Sequence, residues 1–113
     1  MKLTEEELIY IISRVDLIRG NCIEINFYLE EDEQYTDCWL GKMQDRIKKG
    51  KEIYWFGLTE DGSQAYDYNN LDEFLHAKVF NGKDLLEVLH KINWETLDGS
   101  DFEEMLRIYH ERD

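Results

Sequence analysis

The apolar and aromatic run at residues 53–58 constrains the fold of this chain more than any other segment. An uninterrupted run of this kind is typical of a strand that is covered on both faces. Residues 59–62 follow with a glycine in the last position, which is the composition of a hairpin turn, and residues 63–68 then predict the returning strand. The sequence therefore predicts an antiparallel hairpin built on a central strand.

A further strand is predicted at residues 23–29, where four apolar residues alternate with polar or amphipathic ones. Ahead of it, Thr4 and Glu7 form a capping-box pattern. Apolar residues at helical spacing follow this pattern and predict a helix from about residue 5 to residue 17. The first third of the chain therefore predicts a helix followed by a half-buried strand.

Residues 35–50 admit two interpretations. A helix over about residues 41–49 is favoured by apolar residues at helical spacing, namely Trp39, Leu40, Met43 and Ile47. The ending Lys48-Lys49-Gly50 also suits a helix C-terminus. Alternatively, residues 35–40 extend as a strand that pairs with residues 23–29. We expect the helix and keep the strand as the alternative.

Three short helices are predicted in the last part of the chain. Asn70 and Glu73 cap one that runs to about residue 80, a second runs from residue 83 or 84 to residue 92, and Ser100 and Glu103 cap a third that runs to about residue 111. The whole pattern predicts a single α+β domain over residues 1–113. It would contain a small antiparallel sheet of two to four strands, packed with about four to five helices.

Charge narrows the classes of partner. The chain holds 26 acidic and 13 basic residues, a formal net charge of −13 at pH 7. Such an excess of carboxylates argues against direct binding to nucleic acid or to an anionic membrane, because both require cationic side chains. A basic protein is therefore the expected partner.

The basic residues are not evenly distributed. Five of them stand between residues 42 and 51, and they form a basic island between two acidic segments: Lys42, Arg46, Lys48, Lys49 and Lys51. On the predicted helix, Lys42, Arg46 and Lys49 would form one stripe, for which exposure to solvent is the ordinary use.

The expected compartment is the cytoplasm. No apolar run approaches the ~20 residues of a membrane span, and the first residues lack the charge pattern of a signal peptide. Cys22 and Cys38 stand fifteen residues apart without a CxxC motif, and we interpret both as ordinary reduced thiols.

Two Glu-x-x-His pairs are the one pointer to metal chemistry. Glu73 with His76 and Glu87 with His90 would each share a helix face, as in carboxylate-bridged di-iron sites. That architecture needs four long helices and further inward glutamates, whereas these segments are short, so helices with a leucine stripe are the favoured interpretation. With no catalytic pattern in the sequence, we expect no cofactor and no enzymatic activity.

Aromatic and acidic residues close together predict a binding surface. Aromatic side chains supply most hot-spot energy in interfaces, and carboxylates steer a basic partner. Core packing is favoured for Trp55 and Phe56, whereas the two tyrosines of the returning strand are expected to be exposed. The acidic residues 30–33 are a solvated turn or a docking loop. The candidate partner-binding residues are Glu30, Glu31, Asp32, Glu33, Trp55, Asp61, Tyr66, Asp67 and Tyr68.

These features predict a small acidic protein-binding domain, an inhibitor of the immunity or antitoxin type that sequesters a basic partner such as a nuclease toxin. Close charge pairs give such complexes fast association and large coupling energies. The alternatives are a structural or adaptor domain that forms a homodimer through the hairpin, and a metal- or ligand-binding enzyme that uses the Glu-x-x-His pairs. The sequence leaves a monomer and a homodimer both open.

Overall fold

Six strands form one antiparallel sheet in the computed structural model, which describes residues 1–14 and 22–113. The strands are β1 (Ile23–Leu29), β2 (Cys38–Gln44), β3 (Glu52–Gly57), β4 (Ala65–Tyr68), β5 (Ile92–Leu97) and β6 (Ser100–Asp101). Their order across the sheet is β4-β3-β2-β1-β5-β6. The helices are α1 (Glu5–Ile12), α2 (Leu71–His76), α3 (Leu85–Val88) and α4 (Phe102–Arg112).

The core lies between one face of this sheet and the helices. Every second residue of β1 is buried, as its alternating sequence predicts. On β3, the Phe56 ring stacks on Phe74 of α2 with centroids 4.3 Å apart, and on β5, Trp94 contacts Phe102 of α4 at 5.9 Å. Each of the four helices contributes buried residues to this one cluster. The opposite face of the sheet receives no helix among the described residues.

The prediction of a sheet with two to four strands was wrong, and one reason is β2. The predicted helix at residues 41–49 is absent, and Cys38–Gln44 instead pairs with β1 on one side and with β3 on the other. Apolar residues occur on both faces of this strand, so its period resembles that of a helix. The alternative strand at residues 35–40 overlaps β2 at residues 38–40, and β2 pairs with β1 as that alternative predicted.

The strand β5 is the second reason. The helix predicted over residues 83 or 84 to 92 stops at Val88, and a 3₁₀ turn then leads to Ile92. Residues 92–97 pair with β1 because the edge of β1 opposite β2 offers backbone groups for hydrogen bonding. The sequence of residues 83–97 by itself does not reveal this partner.

Helix boundaries also differ from the predictions. α1 has the predicted capping box at Thr4 and Glu7. The helix was predicted to run to about residue 17, but α1 ends at Ile12, and residues 15–17 lie outside the described residues. α2 ends at His76 rather than near residue 80, and α4 is capped by Asp101 rather than Ser100.

The basic island does not form a helical stripe. Lys42 lies on β2, only 1% exposed, with its ammonium 2.9 Å from the Glu52 carboxylate. Its Nζ also donates to the carbonyl oxygen of Arg14. The predicted exposure of Lys42 was wrong because the strand turns this residue toward the helices. The remaining basic residues of the island lie in the exposed loop at residues 45–51.

The described elements pack into one compact α+β domain. The radius of gyration is 13.6 Å, close to the roughly 13 Å expected for a folded chain of this length. Within residues 1–14 and 22–113, no helix is long and apolar enough to cross a membrane.

Candidate functional site

The uncovered face of the sheet is the candidate functional site. We call it the open face. Apart from Gly41, its residues are exposed or half-buried. On β1–β4 it consists of Glu24, Asn26, Tyr28, Trp39, Gly41, Met43, Ile53, Trp55, Gly57, Ala65 and Asp67.

Strand register arranges these residues in rows across the sheet. One row runs Glu24, Gly41, Trp55, Asp67 from β1 to β4. The next row runs Asn26, Trp39, Gly57, Ala65. Each tryptophan therefore faces a glycine on the neighbouring strand, which leaves room for a large ring to lie across the sheet.

Trp55 uses this room. A Cβ placed on Gly41 would lie 3.0 Å from Cζ2 of Trp55, so the six-membered ring of the indole lies over Gly41. The indole therefore extends from β3 over β2, toward Glu24 on β1. The half-buried ring leaves part of its surface to solvent at the middle of the open face.

Carboxylates border the indole on both sides. Asp67 is the direct cross-strand partner of Trp55, and Glu24 lies two strands away in the same row, at about 10 Å between backbones. Glu24, Glu60 and Asp67 form no ion pair with any described basic residue. Asp37 accepts a hydrogen bond from Nδ2 of Asn26 at 2.9 Å, which holds its carboxylate next to the open face.

Two grooves open to solvent lie beside Trp55. The first, of about 440 Å³, is lined by Cys22, Ile23, Glu24, Lys42, Met43, Trp55 and Asp98. The second, of about 490 Å³, is lined by Glu24, Asp37, Trp39, Trp55, Gly57, Thr59 and Glu60. Glu24 and Trp55 line both grooves, so an aromatic wall and a carboxylate are available in each.

Several candidate residues that are distant in sequence come together at one end of the sheet. The β1–β2 loop at residues 30–37 and the β3–β4 loop at residues 58–64 both leave this end, because neighbouring strands are antiparallel. We call it the acidic end. It carries the carboxylates of Glu30, Glu31, Asp32, Glu33, Asp37, Glu60 and Asp61.

Local contacts hold some of these carboxylates. Glu30 forms an ion pair of 2.9 Å with Lys2, and Asp32 accepts the Gln34 backbone N–H at 2.9 Å. Asp61 accepts both the backbone N–H and the hydroxyl of Ser63, at 3.0 and 2.7 Å. These hydrogen bonds lower the pKa of Asp61 from its usual 3.8 to about 2, and the bond from the backbone N–H contributes most. The carboxylate of Asp61 therefore stabilises the turn and also contributes to the negative charge of the acidic end.

Three of the four aromatic residues for which a face was predicted on the hairpin lie on the opposite face from the expected one: Trp55, Tyr66 and Tyr68. Tyr66 and Tyr68 pair with Phe56 and Tyr54, so they point toward the helices and pack against the core, half-buried. Trp55 pairs with Asp67 and points outward. Phe56 is buried, as predicted. Because side chains alternate along a strand, an inward Phe56 places its neighbour Trp55 on the open face.

Sequence reasoning missed four residues of the site: Glu24, Asp37, Trp39 and Glu60. Trp39 was assigned to a helical stripe. A strand at residues 38–44 would have placed Trp39 beside Gly57, and the same alternation in β1 places Glu24 outward.

The Glu-x-x-His pairs take other contacts. Glu87 accepts the Asp84 backbone N–H at 3.1 Å and binds the ammonium of Lys78, while Nδ1 of His76 lies 3.3 Å from Asp72. No group of three or more His, Cys, Asp or Glu side chains within residues 1–14 and 22–113 has the arrangement of a metal site.

The two cysteines lie in different surroundings. Cys22 is exposed beside the first groove, and Cys38, the first residue of β2, is buried in the core. Burial, with nearby aspartates adding to it, raises the pKa of the Cys38 thiol to about 12. Cys38 therefore stays protonated and acts as a small core residue.

Comparisons with protein-family models, with curated proteins and with solved structures found no match to this chain.

Proposed function

We propose that this protein is an inhibitor of the immunity or antitoxin type that binds a basic protein, such as a nuclease toxin, through its open face. The observation that carries the proposal is the pair of tryptophans on an uncovered sheet face, bordered by carboxylates that have no described cationic partner. An uncovered face with this composition combines apolar contact area with a charge that attracts a basic surface.

The tryptophans would supply most of the affinity. Trp is enriched among interface residues whose truncation costs 2 kcal/mol or more, because it buries a large rigid ring at low entropic cost. Trp39 and Trp55 stand in adjacent rows of the open face, so one partner surface would cover both. The carboxylates around them would act mainly on the rate of association.

Charge along the β2–β3 hairpin would orient the partner. Trp39 lies toward the acidic end, whereas the loop at residues 45–51 at the other end carries Arg46, Lys48, Lys49 and Lys51. Gln44 follows Trp39 by five residue steps along β2, a distance of about 17 Å. A basic surface would approach the acidic end and avoid this loop.

Purified protein with an affinity tag tests the proposal by capture from the source cell. We expect a basic protein in the eluate. Its association with the purified chain should slow markedly between about 50 and 300 mM salt, as the Debye length shortens to below 10 Å. An acidic partner, or a rate that does not depend on salt, would contradict the proposal.

Replacement of Trp55 by alanine tests the site. We expect affinity for the captured partner to fall by about 2 kcal/mol, roughly thirtyfold in Kd, because the ring is a central contact of the open face. Ile47→Ala is the matched control, because Ile47 is 91% exposed but lies in the basic loop away from the acidic end. Isothermal titration calorimetry on both variants measures the difference. Equal losses for the two would place the interface elsewhere.

A further inference from the structure

We infer that the cations which the open face takes from its partner are arginine side chains, seated in the two grooves beside Trp55. The inference rests on the proposed function and names the chemical group that the site would recognise. It is carried by the juxtaposition of flat indole surfaces and carboxylates in the same two grooves.

Indole surfaces favour arginine over lysine. The Trp55 ring lies across the sheet over Gly41, so its exposed surface forms part of the floor between the grooves. A guanidinium is planar and weakly hydrated, and it stacks on an aromatic ring while its N–H groups still point outward in the ring plane. An ammonium is compact and strongly hydrated, so it gains less from the same ring.

Carboxylates line both grooves beside the ring, within the same sites as the indole. Glu24 lines both grooves, Asp37 and Glu60 line the second, and Asp98 lines the first. Asp98 already accepts the Glu24 backbone N–H at 3.0 Å and the Tyr109 hydroxyl at 2.5 Å, so it is engaged within the domain and Glu24 is the carboxylate that both grooves offer. A guanidinium binds a carboxylate through two parallel hydrogen bonds, which a lysine ammonium does not match in geometry.

The chain already contains one contact of this kind. The guanidinium of Arg14 lies 3.9 Å from the centroid of the Tyr109 ring and donates from Nε and Nη2 to the Asp113 carboxylate, at 3.1 to 3.2 Å. Arginine, aromatic ring and carboxylate thus meet in a single contact inside the domain. On the open face, Trp55 offers the ring, and Glu24 offers a carboxylate that forms no ion pair with a basic residue in the described part of the chain.

Peptides of equal charge test the inference. Hexa-arginine and hexa-lysine are titrated separately into the full chain at low salt, and tryptophan fluorescence is recorded. Trp39 and Trp55 report on the open face, while Trp94 is 2% exposed and provides an unchanging background. We expect hexa-arginine to change the fluorescence with an apparent Kd about tenfold lower than that of hexa-lysine. Equal Kd values for the two peptides would overturn the inference.

Two charge-matched variants locate the preference. Glu24→Gln should remove most of the difference between the peptides, because Glu24 lines both grooves. Glu103→Gln makes the same charge change on the exposed surface of α4 and should leave the preference unchanged. Both residues are exposed, so both variants should fold, which circular dichroism checks. A preference that survives Glu24→Gln, or that Glu103→Gln removes equally, would also overturn the inference.

The two proposals fail in different ways. If a basic partner is captured through Trp55 while the peptides bind equally, the arginine inference is wrong and the proposed function stands. If neither peptide changes the fluorescence and no basic partner is captured, both proposals are wrong.

Discussion

Two glycines on adjacent strands face the tryptophans of the open face, and the indole of Trp55 lies across the sheet over Gly41. Gly41 stands in the row of Trp55, and Gly57 stands in the row of Trp39. Their surroundings differ. A Cβ on residue 41 would lie 1.9 Å from the carbonyl oxygen of Ile23, whereas the nearest atom to a Cβ on residue 57 would be 3.9 Å away, on Trp39.

The exchange Gly41→Ala should therefore destabilise the domain strongly. The clash is with backbone, which cannot move aside as a side chain can, so we expect a loss near 3 kcal/mol, at the upper end of the usual range for overpacking. Gly57→Ala is the matched control, with a change of less than about 1 kcal/mol. Urea unfolding of both variants gives the comparison. Similar losses at the two positions would contradict this account of the sheet.

Asp61 should contribute to stability in a pH-dependent way. Its pKa in the folded protein is about 2, below the usual 3.8, so its ionised form stabilises the fold above pH 4. That contribution is lost as the pH falls from about 4 toward 2, where the carboxylate becomes protonated.

We expect Asp61→Ala to be less stable than the parent at pH 6 and the difference to shrink on acidification below pH 4. Asp67→Ala is the control, because the Asp67 carboxylate accepts no hydrogen bond from a described residue. Urea unfolding at a series of pH values measures both. The difference in free energy of unfolding between the parent and Asp61→Ala could instead increase on acidification. That result would show that the turn does not bind the ionised form.

At the scale of elements, the β2–β3 hairpin separates the charges of the open face. Asp45 accepts the backbone N–H groups of Ile47 and Lys48 at 2.9 and 3.3 Å, which shapes the basic loop at one end. The acidic end lies at the other end of the same strands. The hairpin therefore carries a charge gradient along its length.

Neutralising the acidic residues and neutralising the basic residues should change the association rate in opposite directions. Neutralising Glu60 at the acidic end together with Glu24 in the middle of the open face should slow association with a basic partner about two- to tenfold, since the attraction is removed. Neutralising Lys48 and Lys49 should leave the rate unchanged or raise it, because repulsion is removed. Stopped-flow mixing at low salt measures both. Slower association of the lysine variant would mean that the basic loop itself contacts the partner.

For the whole molecule, the net charge of −13 opposes folding. Lys and Arg form six ion pairs among the described residues, three of them with both partners exposed, so these pairs offset little of the repulsion. Compaction brings the remaining carboxylates within a Debye length of one another at low salt.

Salt should therefore stabilise this domain. Raising sodium chloride from about 10 to 300 mM shortens the Debye length several-fold, and we expect a gain on the order of 1 kcal/mol, about 4 °C in Tm. Near pH 4.5, the isoelectric point, the same addition should have a much smaller effect because the net charge is close to zero. Calorimetric scans at both pH values test this. A Tm that falls with salt at pH 7 would mean that attractive pairs dominate.

Local sequence patterns determined the elements whose stability depends on near neighbours. The capping box at Thr4 and Glu7, the alternation of β1 and the hairpin of β3 and β4 were all predicted, because each depends on residues within a few positions. The excess of acid and the place of the acidic turns were also evident in the sequence. The first feature depends on composition, and the second on the order of residues within one short segment.

Tertiary pairing decided the rest. β2 and β5 became strands because β1 offers two edges for hydrogen bonding. A short segment of sequence does not show that such an edge will be available to it. The same pairing decided which face each aromatic residue occupies, and it turned Trp55 outward and Lys42 inward. A strand shifted by one residue exchanges its two faces, so the open face with its tryptophans and carboxylates exists only once the register of four strands is set.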